Sequence, residues 1–164
     1  MEVEMLAWLV AIPLLGLATG LRSMTPIAIL CWFAYRGDVS LVDTWGEWSG
    51  HIVTVVIFAL LAVGELIADK LPWIPDRISA GPLTVRLLVG GLVGALAATA
   101  LGGSLFEGVL LGVIGVLLGA FGGYQMRKEL VQRRGWMDWH VAVVEDFIAV
   151  VGSVLALGFV TAQG

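Results

Sequence analysis

Apolar residues fill five long stretches of the chain, and polar residues gather in the links between them. The stretches cover residues 5–35, 51–68, 83–101, 106–126 and 139–160. A membrane-spanning helix needs about 20 mostly apolar residues, whereas a strand of a membrane barrel alternates polar and apolar positions over about 10 residues. No stretch alternates in this way. The pattern predicts an all-α fold, a polytopic transmembrane helix bundle with about five membrane segments, in a single domain over residues 1–164.

The first stretch is broken by the sequence Arg22-Ser23-Met24-Thr25-Pro26. Proline has no N–H and disfavours helical backbone at the residue before it. We therefore expect a helix before the break and a short helix after it, which spans the membrane, re-enters it or lies along its surface. Ser23 or Thr25 is expected to cap the short helix, with Pro26 at its first position.

Basic residues are concentrated in two links. Residues 70–86 and 127–138 contain seven of the nine Lys and Arg residues, namely Lys70, Arg77, Arg86, Arg127, Lys128, Arg133 and Arg134. Because Lys and Arg are enriched in cytoplasmic loops, we expect both links in the cytoplasm and the C-terminus outside. If the first stretch crosses the membrane once, the N-terminus is also cytoplasmic and the acidic loop 36–50 lies outside.

Composition narrows the class of protein. Apolar residues make up 59% of the chain and charged residues 13%, against about 25% charged in ordinary soluble domains. The mean hydropathy is +0.98. These values exclude a water-soluble globule and a disordered chain, and a net charge of −4 argues against a nucleic-acid partner. The expected partners are membrane lipids and further copies of the chain, because a bundle this small would need a homo-oligomer to enclose a path.

Four acidic residues are predicted to lie at one depth. Glu65 and Asp69 are four residues apart, on one face of a helix, and Glu145 and Asp146 come near the start of the last helix. The helical rise places Glu65 and Glu145 each about 9 Å inside the cytoplasmic edge. Because an unpaired buried carboxylate costs several kcal/mol, we expect cationic partners among Lys70, Arg77, Arg86, Arg127 and Lys128.

Such a cluster allows several kinds of chemistry. The four carboxylates of Glu65, Asp69, Glu145 and Asp146 can coordinate a divalent cation or relay protons, and Arg86 or Arg127 can hold a phosphate. The structural alternative is a ring of salt bridges between helices. No catalytic motif is recognised, and no cofactor is required by the sequence.

Arg22 directly precedes the predicted helix start. A half-helix N-terminus beside an arginine favours an anion. The alternative is that Arg22 extends to the membrane surface as a structural residue.

Three sequence motifs are distinctive: GLRSMTP at residues 20–26, GELIADKLP at 64–72, and GAFGGY at 119–124 with VED at 144–146. With these motifs the chain resembles a family of small bacterial integral membrane proteins described only as a domain of unknown function. The resemblance implies a bacterial inner membrane and no particular activity. It implies one functional group that contains Arg22, Glu65, Asp69, Arg77, Arg86, Glu145 and Asp146.

Three functions therefore remain open. The leading hypothesis is a small transporter or channel for an ion or small solute, because charged residues inside a membrane and a broken helix are typical of transporters. The second is a membrane-embedded enzyme or binder of a lipid phosphate headgroup, and an enzyme is the less favoured class. The third is a structural or assembly subunit.

Overall fold

The fold is all-helical, as the sequence predicts. The computed structural model describes residues 2–69 and 78–162, with side chains from residue 9 onward. Within these ranges there are six α-helices and no strand. The helices are α1 (Glu2–Leu21), α2 (Met24–Arg36), α3 (Ile52–Ala68), α4 (Ala80–Ala100), α5 (Leu105–Lys128) and α6 (Asp138–Thr161), with a 3₁₀ turn at Glu47–Gly50 and a π turn at Glu129–Arg133.

Three of the described helices are long and apolar enough to cross a membrane. They are Ala80–Ala100, Leu105–Arg133, which includes the π turn, and Asp138–Thr161. α3 (Ile52–Ala68) is apolar but shorter, and so is Leu9–Leu21, the part of α1 whose side chains the structure describes. The membrane-helix character of the protein is thus confirmed, whereas five spanning segments are not. The helix expected from residue 83 begins earlier, at Ala80, so that Arg86 lies on its second turn.

The break in the first stretch falls where the sequence predicts, but the chain reverses direction there. α1 runs parallel to α5, because Gly16 packs on Gly112 and Gly20 packs on Gly119. α2 runs antiparallel to α3, because Met24 contacts a side chain near the end of α3 while Ala34 lies beside Gly50, just before α3 begins.

α4 runs antiparallel to α5, because Gly90 packs on Gly112 and Gly94 packs on Gly108, so α4 is also antiparallel to α1. Arg86 near the start of α4 contacts the end of α1, and Trp45 in the loop after α2 donates to Thr99 near the end of α4. α2 therefore runs in the direction of α4 and opposite to α1. The first stretch therefore does not run through the bundle in one direction.

Glycines let the backbones of α1, α4 and α5 touch. A Cβ atom on Gly119 of α5 would lie 2.1 Å from the carbonyl oxygen of Leu17 in α1. On the other side of α5, a Cβ atom on Gly94 of α4 would lie 2.1 Å from the carbonyl oxygen of Gly108. Only glycine fits at such contacts, which are typical of helix pairs in membranes. The glycines of α5 thus form a packing surface within the chain.

The outward faces of the bundle are apolar. Large side chains such as Leu60 of α3, Leu118 of α5 and Phe147 of α6 are more than half exposed. In a water-soluble protein this would be an unusually large apolar surface. In a membrane the same side chains face lipid, where they have no reason to be buried.

We expect Gly119→Ala to lower the free energy of unfolding by about 1–3 kcal/mol, since the added methyl group overpacks the contact with α1. The matched control is Gly122→Ala on the same helix, where the new Cβ atom meets nothing within 4 Å. Unfolding titrations in mixed micelles measure both. Equal stability of the two variants would contradict the close α1–α5 contact.

Candidate functional site

The start of α2 is held by a carboxylate from another helix. Glu65 of α3 accepts hydrogen bonds from the backbone N–H of Ser23 and of Met24, each at 2.8 Å. Ser23 is the residue that precedes α2, but its side chain makes no capping bond. Pro26 is the third residue of α2, so its predicted first position was wrong. An ionised carboxylate is a stronger acceptor than a hydroxyl, and it satisfies two backbone donors at once.

The end of α1 is held by a cation. Arg86 of α4 donates from Nη1 to the carbonyl oxygen of Gly20 at 3.2 Å. Its Nη2 lies 3.8 Å from Oε1 of Glu65. Because a helix carries partial negative charge at its C-terminus and partial positive charge at its N-terminus, each end of the break faces the opposite charge. Glu65 and Arg86 also face each other across the break.

Arg22 lies inside the bundle, with 2% of its surface exposed. Its Nη1 atom is paired with Asp69 at the end of α3. Its Nε atom is paired with Asp146 near the start of α6. The alternative, in which Arg22 extends to the membrane surface, does not fit this burial. The anion beside Arg22 is supplied by the chain itself.

A second group of charges adjoins the first along α6. Arg127 of α5 donates to the carboxylate of Asp138, from Nε at 2.8 Å and from Nη2 at 2.5 Å. Its Nη1 lies 3.6 Å from Glu145, a side chain that is completely buried. α6 thus supplies Asp138 and Glu145 to this second group and Asp146 to the first.

Most of the predicted site residues thus meet at one end of the bundle. Arg22, Glu65, Asp69, Arg86 and Asp146 form the group that we call the break cluster, and Arg127, Asp138 and Glu145 form the adjoining group. Arg77 lies outside the described residues.

Two contributors were missed by the sequence analysis. Asp138 lies seven residues before Glu145, on the same face of α6, and this spacing was available to find it. No spacing in the sequence indicates a role for the backbone N–H groups of Ser23 and Met24, because their partner, Glu65, is on another helix.

The described side chains were also compared with the grouping that a metal ion requires. In residues 2–69 and 78–162, no three His, Cys, Asp or Glu side chains are grouped so as to hold one. The four carboxylates considered as metal ligands, those of Glu65, Asp69, Glu145 and Asp146, face arginine side chains or backbone N–H groups. These carboxylates therefore belong to a network of ion pairs and hydrogen bonds within the protein.

Most of the chain matches a known protein family. Residues 9–162 match the family described as Domain of unknown function (DUF4126). The chain belongs to this family. The expected membership of an uncharacterised family is therefore confirmed over nearly the whole length of the DUF4126 protein. No curated protein and no solved structure matches the chain.

In this DUF4126 protein, we expect Arg22→Gln to lower the free energy of unfolding by about 3–5 kcal/mol, because it leaves two carboxylates without their shared cation. Adding Asp69→Asn and Asp146→Asn should recover part of the loss. Arg36→Gln is the control. Arg36 pairs with Asp38 at 3.2 Å on the surface, where a pair is worth about 0–1 kcal/mol. Unfolding titrations that give Arg22→Gln and Arg36→Gln the same stability would refute a structural role for the break cluster.

Proposed function

We propose that the protein is a small transporter or channel for an ion or small solute, and that protonation of the break cluster accompanies each transport event. The observation that carries this proposal is the break itself. A helix interrupted among buried charges is the arrangement by which many transporters build their binding sites. Ionisable residues inside a membrane are costly, and they commonly mark ion paths and proton relays.

Glu65 is the residue proposed to couple protonation to movement. Its carboxylate holds the start of α2 through two backbone hydrogen bonds and faces Arg86. A protonated Glu65 loses its charge, and with it the attraction to Arg86 and to the positive end of α2. Protonation thus weakens the contact that holds α2 against α3, and α2 is then free to shift.

The lipid-headgroup function has less support at this site. Arg22 faces two carboxylates and Arg86 faces a third, so a phosphate would have to displace a carboxylate to be bound. The structural-subunit function predicts the same ion pairs but no flux. An assay of flux separates it from the transport proposal.

The flux test uses proteoliposomes that contain a pH-sensitive dye. A panel of salts, organic anions, cations and neutral solutes is added outside, with and without an imposed membrane potential. We expect at least one condition to drive protons faster than in empty liposomes. Glu65→Gln should reduce this rate by at least about tenfold, because an amide does not release a proton in this range.

The control for the flux test is Glu107→Gln, which removes an exposed carboxylate from the start of α5, at the far end of that helix from Arg127. It should keep the rate of the unaltered protein. If that protein and Glu65→Gln are both folded and move protons at the rate of empty liposomes under every condition, the transport proposal is wrong.

We further propose that the bundle end with the break cluster faces the cytoplasm of a bacterial inner membrane, since the links 70–86 and 127–138 are basic. Single cysteines test this in a background where buried Cys31 is replaced by Ala. Ser40→Cys, in the loop after α2, should react with an impermeant thiol reagent in intact spheroplasts. Arg134→Cys should react only after lysis. The reverse pattern would invert the topology.

A further inference from the structure

A groove of about 610 Å³ lies beside the C-terminal part of α5, apart from the break cluster. No residue of that cluster lines it. Its polar walls carry a hydroxyl, two amides and two cations, from Tyr124, Gln125, Lys128, Gln132 and Arg133. These groups are hydrogen-bond donors of the kind that hold phosphate oxygens.

The groove continues an apolar stripe on the same face of α5. Ile114, Leu117 and Phe121 are each more than one third exposed, and Phe121 also lines the groove. Tyr124 follows Phe121 by three residues, and Lys128 follows Tyr124 by four, so both lie on that face of α5. A ligand lying along α5 would therefore meet an apolar surface first and polar donors at its end, which is the order of groups in a phospholipid.

The charge of the groove favours an anion. Arg133 pairs with Glu129 at 3.1 Å, and both line the groove. Lys128 has no ion-pair partner within the described parts of the chain. Once Arg133 and Glu129 offset each other, the charge of Lys128 is left for a ligand.

The link that follows α5 independently indicates the depth of this end of the bundle. Trp136 and Trp139 are about half exposed and line a second, mostly apolar groove at the start of α6. Exposed tryptophans are enriched at the level of lipid headgroups. The end of α5 and the start of α6 lie on either side of the link 129–137, so the groove on α5 ends at headgroup level.

We propose that this groove binds an anionic phospholipid, with the phosphate of the headgroup beside Lys128 and an acyl chain along the exposed stripe of α5. The two amides and Tyr124 contribute hydrogen bonds to the phosphate and to the polar headgroup. The proposal is independent of transport, because lipid retention does not require any flux.

The experiment is native mass spectrometry of the full chain released from nanodiscs that contain equal amounts of phosphatidylglycerol and phosphatidylcholine with the same acyl chains. The unaltered protein should retain phosphatidylglycerol in preference. Lys128→Gln should lower the ratio of retained phosphatidylglycerol to phosphatidylcholine about fivefold, the effect of one basic residue near an anionic surface. Gln132→Glu, which places a negative charge in the groove, should lower it at least as much.

The matched control is Arg134→Gln, which removes one positive charge from an exposed residue outside the groove. It should leave the ratio unchanged. An equal fall in Arg134→Gln and Lys128→Gln would show that net charge alone selects the lipid, and would overturn the proposal. So would equal retention of the two lipids by the unaltered protein.

A further arm separates a lipid from a free phosphate. Millimolar inorganic phosphate is added before release, and we expect the lipid to stay bound because the acyl chain contributes to its affinity. Complete displacement of phosphatidylglycerol would show that the groove recognises phosphate alone, and would overturn the assignment to a lipid.

Discussion

The peptide groups at the break between α1 and α2 impose the constraint on which the site depends. Helix ends leave backbone N–H and C=O groups without partners, and in a membrane such groups are tolerated only where protein satisfies them. Here Glu65 accepts from the two N–H groups and Arg86 donates to the carbonyl of Gly20. Since these side chains come from α3 and α4, the break determines where both helices must lie. Arg22 links the same point to α6 through Asp146.

Close glycine packing is what brings these partners within reach. Gly20 of α1 rests on the backbone of α5 near Val116, and Gly90 of α4 rests on the side chain of the same valine. Arg86 precedes Gly90 by four residues and so lies on the same face of α4, about one turn away. Larger residues at these contacts would move α1 and α4 outward from α5 and separate Arg86 from the carbonyl of Gly20. Packing along α5 and electrostatics at the break are therefore parts of one arrangement.

The sequence predicts much of this fold, because the lengths of the apolar stretches, the positions of the prolines and the clustering of charged residues are local properties. It places the break at the correct residues and places Glu65, Asp69, Glu145 and Asp146 near one end of the bundle. It does not predict that α2 turns back along α3, since that depends on contacts between distant helices. Helical spacing gives the face and depth of a carboxylate but not its partner. For that reason the sequence predicts a cap by Ser23 or Thr25, whereas the more distant Glu65 holds the start of α2.

The break cluster resembles an anion-binding site that the protein has filled with its own side chains. A positive helix end and two buried arginines would attract a phosphate or a carboxylate from outside, but Glu65, Asp69 and Asp146 already occupy those positions. An external anion gains access only if one of these carboxylates withdraws. Protonation removes the charge that holds a carboxylate there, and for Glu65 it also weakens the contact between α2 and α3. Release of the interactions that stabilise the interrupted helix would therefore open the site. The transport proposal and the stability of the break cluster thus depend on the same residues.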